Sequence, residues 1–145
     1  EKIPINLSIS LHSPFDERRR KIMPIGRRYS VKEIIDACKY YYKINNRRIT
    51  LEYTVIEGIN NREKDLKELM KILKGLNCHI NLIPLNPIEE YGKDRPSISS
   101  IEEFQRDLVK AGIPTTIRKE MGGDINASCG QLRRRYINGK DSKTI

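Results

Sequence analysis

The sequence predicts an α/β fold, a partial (βα) barrel of about three βα units followed by a C-terminal strand. Strand-like and helix-like periodicities alternate along its 145 residues, which calls for parallel strands joined by right-handed helical crossovers. The predicted strands are polar on one face and apolar on the other, whereas a parallel strand sandwiched between helical layers is apolar on both. A complete eight-unit barrel takes roughly 250 residues, so this chain accommodates part of one, with an unsealed edge.

Each element has a local reason. Residues 6–12 (Asn-Leu-Ser-Ile-Ser-Leu-His) alternate strictly and predict the first strand. Residues 16–23 predict a short helix halted by Pro24. Ser30 and Glu33 form a capping box for a helix whose apolar stripe is Val31, Ile34, Ile35, Cys38, Tyr41 and Tyr42. Residues 48–56 predict the second strand, closed by Glu57-Gly58-Ile59-Asn60-Asn61. A helix over residues 62–73 turns Leu66, Leu69, Met70 and Leu73 inward and stops at Gly75. Residues 78–85 predict the third strand. Ser99 or Ser100, with Glu102 or Glu103, caps a last long helix that carries Ile101, Phe104, Leu108 and Ala111 and stops at Gly112. Residues 114–119 predict the fourth strand, and the tail over residues 137–145 is expected to fray.

On the polar faces stand Asn6, Ser8, Ser10 and His12, then Thr50, Glu52 and Thr54, then His79 and Asn81. Such a face describes a barrel with a wet, ligand-holding interior. An antiparallel sheet with one face in water has the same pattern, but the intervening helices argue against it. The absence of GxGxxG and GxxxxGK[ST] from the sequence leaves an open nucleotide-binding sheet without support.

Composition narrows the classes. The formal charge is +9, with 37% hydrophobic and 32% charged residues, a folded rather than a disordered balance. No apolar run reaches the ~18 residues of a membrane span, and no signal-peptide pattern opens the chain. The opening Glu1-Lys2-Ile3-Pro4 has no Met and leads at once into a strand, so an internal stretch of a longer polypeptide is expected. The excess cations lie in two places. Residues 17–28 hold Arg18, Arg19, Arg20, Lys21, Arg27 and Arg28 against Glu17, a net +5; residues 118–145 carry +4. Clusters of this kind suit a polyanion such as RNA, gripped by Arg18, Arg19, Arg20, Arg133 and Arg134. Two solvated surface segments explain them equally well.

Cys38, Cys78 and Cys129 are widely spaced and form no CxxC pair, so no metal site is expected within the chain and a reducing cytoplasm is the simplest compartment. Cys38 falls on an apolar helix stripe and Cys78 opens a strand, so packing explains both. Cys129 sits among small and polar residues from Gly122 to Leu132, the one setting that suggests a reactive thiol; an idle loop cysteine has the same surroundings. In βα barrels the working face lies at the C-terminal ends of the strands. Ser10 and His12 stand there on the first strand, Glu57 and Asn60 after the second, and Asn86 after the third, although Asn86 is out of phase with His79 and Asn81. A hydrogen-bonded structural role is the alternative for His12, and His79, at the opposite end of its strand, reads as structural.

At these positions the sequence resembles the RlmN/Cfr family, the radical-SAM adenine methyltransferases of large-subunit ribosomal RNA. The matching segments are Leu7-Ser-Ile-Ser-Leu-His12-Ser-Pro14, Met23-Pro-Ile25, Glu52-Tyr53, Gly58-Ile-Asn60, Cys78-His-Ile-Asn-Leu-Ile-Pro-Leu-Asn86-Pro87, Arg118 through Gly122, and Asp124-Ile through Cys129-Gly-Gln-Leu132. They run in the family's order, and together they are specific, above all the Ala-Ser-Cys-Gly-Gln-Leu element. The family's CxxxCxxC cluster motif, its GMGEP-like segment and its second cysteine are absent, and Leu85 stands where the family often has an aromatic residue.

The resemblance implies that residues 1–136 form the C-terminal half of a radical-SAM barrel domain. It implies S-adenosylmethionine (SAM) contacts from Ser10, Leu11, His12 and Asn86, with Cys129 accepting a methyl group from one SAM. A second SAM, cleaved at a [4Fe-4S] cluster bound elsewhere in the polypeptide, would activate that methyl for addition to an adenine ring carbon, C2 or C8. The implied partners are 23S ribosomal RNA, with transfer RNA as a further substrate, and the N-terminal half of the same polypeptide; no membrane is implied. The segment by itself is expected to hold no cluster and to be inactive. A basic RNA-binding module without chemistry, built on a similar fold, is the competing reading, and an upstream CxxxCxxC would discriminate the two.

Overall fold

The computed structural model describes residues 4–85 and 96–119. Within them the elements are β1 (Ser8–Ser10), α1 (Asp16–Ile22), a 3-10 turn (Pro24–Arg27), α2 (Val31–Asn45), β2 (Ile49–Val55), α3 (Glu63–Ile72), β3 (Cys78–Pro84), α4 (Ile98–Lys110) and β4 (Thr115–Ile117). The strands form one parallel sheet in the order β1-β2-β3-β4. A doubly wound sheet reverses its strand order and carries helices on both faces. Sequential order with one polar face is instead the wall of a βα barrel.

That wall has two unlike sides. On the outer side Ile49, Leu51, Tyr53, Val55, Ile80 and Leu82 are fully buried. They form one cluster with Val31, Ile35 and Cys38 of α2, Leu69 of α3, and Ile101, Phe104 and Leu108 of α4. Burial of each large side chain contributes about 1.5–3 kcal/mol, and the Tyr53 and Phe104 rings lie 5.9 Å apart at a tilt of 43°. On the inner side the alternate residues Thr50, Glu52, Thr54, His79, Asn81 and Ile83 are only half-buried. The pairing sets Ser10, Glu52, Asn81 and Thr116 in one row across all four strands.

Local signals explain most boundaries. The Ser30–Glu33 capping box forms, with Glu33 N–H donating to Ser30 Oγ at 3.1 Å and Ser30 N–H to Glu33 Oε2 at 2.7 Å. Gly75 and Gly112 take φ of 78° and 85° beyond α3 and α4, a conformation that costs a residue with a Cβ.

Three expectations are corrected. The first strand spans Ser8–Ser10 rather than residues 6–12, because His12 turns to φ 61° and Ser13 N–H closes onto the Leu11 carbonyl at 2.8 Å. Met70 points outward, 45% exposed, while Asp65 is fully buried on α3. The last helix is capped two or three residues early by Ser97, whose hydroxyl accepts from Ser100 N–H at 3.2 Å; neither Ser99 nor Ser100 is the cap. The expected tail, residues 137–145, lies outside the described residues.

Candidate functional site

The C-terminal rim of β1 and β2 is held by hydrogen bonds that converge on two side chains. Arg19, 3% exposed on α1, spends its guanidinium on three carbonyls. Its Nε donates to Leu11 O at 3.1 Å, one terminal nitrogen to Ser10 O at 3.1 Å, and the other to Tyr29 O at 3.2 Å. A planar fork of donors suits this task, and a lysine cannot reproduce it. Gly26 lets the 3-10 turn approach, since a Cβ there would meet the Arg19 backbone at 3.0 Å.

Asn60, fully buried, is the second clamp. Its Nδ2 donates to His12 O at 2.9 Å and Thr54 O at 2.6 Å, its Oδ1 accepts from Ile56 N–H at 2.8 Å, and its carbonyl accepts from the Tyr53 hydroxyl at 2.6 Å. One amide thereby ties the loops after β1 and β2 together.

Between these clamps stands His12 in the left-handed region, uncommon for a residue with a side chain. Thr54 N–H donates to its Nδ1 at 2.9 Å, so the ring proton belongs on Nε2. Burial, then the Arg19 cation, pushes the imidazole pKa below 6.5, with Glu52 opposing. His12 is therefore a neutral ring that presents an N–H.

Glu52 organises the inner face. Its carboxylate accepts from Ser8 Oγ and from Asn81 Nδ2, both at 3.2 Å. Thr116 Oγ1 lies 2.9 Å from His79 Nε2 and extends the polar row to β4. Hydroxyls, an amide, a neutral imidazole and one carboxylate make a donor set that fits a polar ligand bearing positive charge, as SAM does. An iron–sulfur cluster is different. Among the described residues no group of three His, Cys, Asp or Glu side chains could hold a metal, and Cys38 and Cys78 are buried.

The predicted site residues separate in this frame. Ser10 and His12 stand together at the rim, with Ser10 exposed and His12 half-buried. Leu11, between them, turns its side chain into the core. That side chain is fully buried, its N–H donates to Glu52 O at 2.9 Å, and its carbonyl accepts from Arg19 and Ser13. Arg18 and Arg19 are both engaged within the fold. Arg18 is paired with the buried Asp65 and lies 5.3 Å from the centre of the Phe15 ring, while Arg19 is the clamp just described. Of that trio only Arg20 is exposed. Asn86, Cys129, Arg133 and Arg134 lie outside the described residues. The reading by sequence missed the roles of Arg19, Asn60 and Glu52. A single asparagine or an arginine inside a basic run carries no local signal of burial, whereas the one carboxylate on an otherwise neutral strand face was there to be noticed.

No family model matches the chain. Among solved structures, a radical SAM methyltransferase from Sphaerobacter thermophilus superposes with a TM-score of 0.84 and 44% identity over 90% of this chain and 38% of its own. A domain of pyruvate-formate lyase-activating enzyme from Bacteroides vulgatus shares the fold alone, with a TM-score of 0.61 and 22% identity over 78% of this chain and 66% of that one. The class is thus the radical-SAM type of partial βα barrel. Among curated proteins, "Probable dual-specificity RNA methyltransferase RlmN" of Alkaliphilus oremlandii is 57% identical over 136 residues, which are 94% of this chain and 40% of that protein. The protein of the same name in Clostridium novyi is 53% identical over 137 residues, 94% of this chain and 40% of its own length. By sequence the chain is a stretch of the RlmN family, spanning about two fifths of the length of these relatives.

Proposed function

We propose that the chain is the C-terminal half of the barrel domain, over residues 1–136, of a cytoplasmic radical-SAM RNA methyltransferase. The observation that carries this reading is the 57% identity along 94% of the chain to a protein named as an RNA methyltransferase. The wall, polar inside and apolar outside, supports it. In this reading Ser10, Leu11, His12 and Asn86 bind SAM at the rim, and Glu52 faces its cationic part. When bound, SAM supplies the methyl group. The neutral His12 ring offers its Nε2–H to an acceptor on the ligand, and Arg19 and Asn60 fix where that ring stands. Cys129 is the residue that carries the methyl group, because its surroundings match the family's carrier cysteine. The [4Fe-4S] ligands would come from the rest of the polypeptide. The substrate is an adenine in 23S ribosomal RNA, methylated at ring carbon C2 or C8, with transfer RNA as a second substrate.

The test uses the complete polypeptide. After incubation with SAM, peptide mass mapping should place an added methyl on the peptide containing Cys129 and on no peptide containing Cys38 or Cys78. Cys129→Ala should abolish methylated RNA while SAM binding by calorimetry persists. A methyl group found on another residue, or full activity of the alanine variant, overturns the assignment. Nucleoside analysis of the product distinguishes C2 from C8.

A further inference from the structure

The surface formed by α1 and the 3-10 turn is tied through Arg19 to the rim that carries Ser10. Arg20, Lys21, Ile25, Arg27, Arg28 and Tyr29 are all exposed there, and no acidic residue occurs from 20 to 29. Among the described residues Arg20, Arg27 and Arg28 form no ion pair, and Lys21 reaches only the exposed Glu17 at 3.6 Å. The aromatic ring belongs to the patch, because the Arg28 guanidinium stands 5.3 Å from the centre of the Tyr29 ring.

The segment is anchored rather than draped. Arg19 donates to the carbonyls of both Ser10 and Tyr29, so a single guanidinium spans the strand end and the patch. Asp16 Oδ1 accepts from Val31 N–H at 2.7 Å and fastens the start of α2 to α1, while Gly26 sits tight against Arg19. Four cations with one exposed aromatic on a fixed scaffold match the chemistry of unpaired RNA, in which phosphates meet cations and a splayed base meets a π-face.

We propose that Arg20, Lys21, Arg27, Arg28 and Tyr29 form a docking surface for a single-stranded stretch of the substrate RNA, steering it to the β1 rim. This rests on the function proposed above and moves the RNA contacts off Arg18 and Arg19, which the fold consumes.

The test measures binding of the complete polypeptide to a fluorescent RNA hairpin with an adenine-containing loop, across a range of KCl concentrations. Arg27→Gln/Arg28→Gln removes two cations that meet phosphates. It should lower affinity at least tenfold at low salt and reduce the slope of log K against log salt by about 1.4. Tyr29→Ala should weaken binding about tenfold with the slope unchanged, and Tyr29→Phe should bind as the parent does. Lys71→Gln/Lys74→Gln, at the end of α3, serves as the control for charge alone. A slope equal to the parent's in Arg27→Gln/Arg28→Gln, or an equal loss in the α3 control, overturns the proposal. The two readings fail separately. Binding is read without turnover, so an unchanged slope removes the docking surface alone, whereas an altered slope in a protein that never methylates RNA removes the catalytic function alone.

Discussion

The helix-covered side of the sheet and the rim at the ends of β1 and β2 are both buried, yet different forces hold them. On the helical side Leu51, Ile80, Leu82, Leu69 and Leu108 are fully buried apolar groups, stabilised by burial that has no direction. At the rim the Arg19 side chain satisfies three carbonyls, and the Asn60 side chain satisfies two carbonyls and an N–H. Directional bonds fix position more tightly than apolar contact does, and leaving one unmade is costly. The tolerance for change should therefore differ: volume matters on one side and geometry on the other.

The comparison is broken most severely by truncation. Phe104→Ala should cost about 4 kcal/mol through a cavity against Tyr53, and Arg19→Met about 3 kcal/mol by orphaning carbonyls of Ser10, Leu11 and Tyr29. Conservative changes sharpen it. Leu69→Met should cost under about 1.5 kcal/mol, whereas Arg19→Lys should recover little of the Arg19→Met loss. Urea unfolding of the complete polypeptide measures all four, and a rescue by lysine would remove the geometric argument.

A smaller effect is expected on the inner face. Glu52→Gln keeps the shape, its Oε1 can accept from Asn81 while its Nε2 donates to the Ser8 hydroxyl, and stability should change by less than about 1 kcal/mol. SAM affinity should fall several-fold because the carboxylate charge is gone. Unaltered affinity would detach Glu52 from the cofactor.

The smallest effect is the titration of His12. Its folded pKa is lowered by burial and then by Arg19, so the neutral ring is the form the fold prefers. The stabilisation is full above about pH 6.5, the unfolded value, and declines as pH falls from there toward the folded pKa. An NMR titration of the His12 ring should give a midpoint below 6.5, and a midpoint above it would contradict the buried, cation-flanked setting.

The alternation of residues 6–12 and 48–56 made the two-faced sheet legible, because a period of two is imposed by the backbone itself. The cap at Ser30 and the stops at Gly75 and Gly112 were legible for the same reason, being local. What could not be read depends on residues distant in sequence. Arg19 looks like its neighbours in a basic run until Ser10, Leu11 and Tyr29 surround it. Asn60 lies 48 positions from His12, whose carbonyl it binds. His12 ends β1 early because two partners from beyond β1 hold it in a left-handed turn, and Ser97 rather than Ser99 or Ser100 caps α4.

The two core cysteines have a consequence for the chemistry that surrounds them. Burial raises the pKa of Cys38, and burial with Cys38 close by pushes Cys78 up to about 11. At neutral pH only about one Cys78 in ten thousand is a thiolate, the form that attacks electrophiles. An alkylating agent or a methyl donor therefore meets sulfur that is chemically silent. That silence keeps the background low: reagents are not squandered on the core sulfurs, and label on any cysteine outside the core can be assigned with little interference.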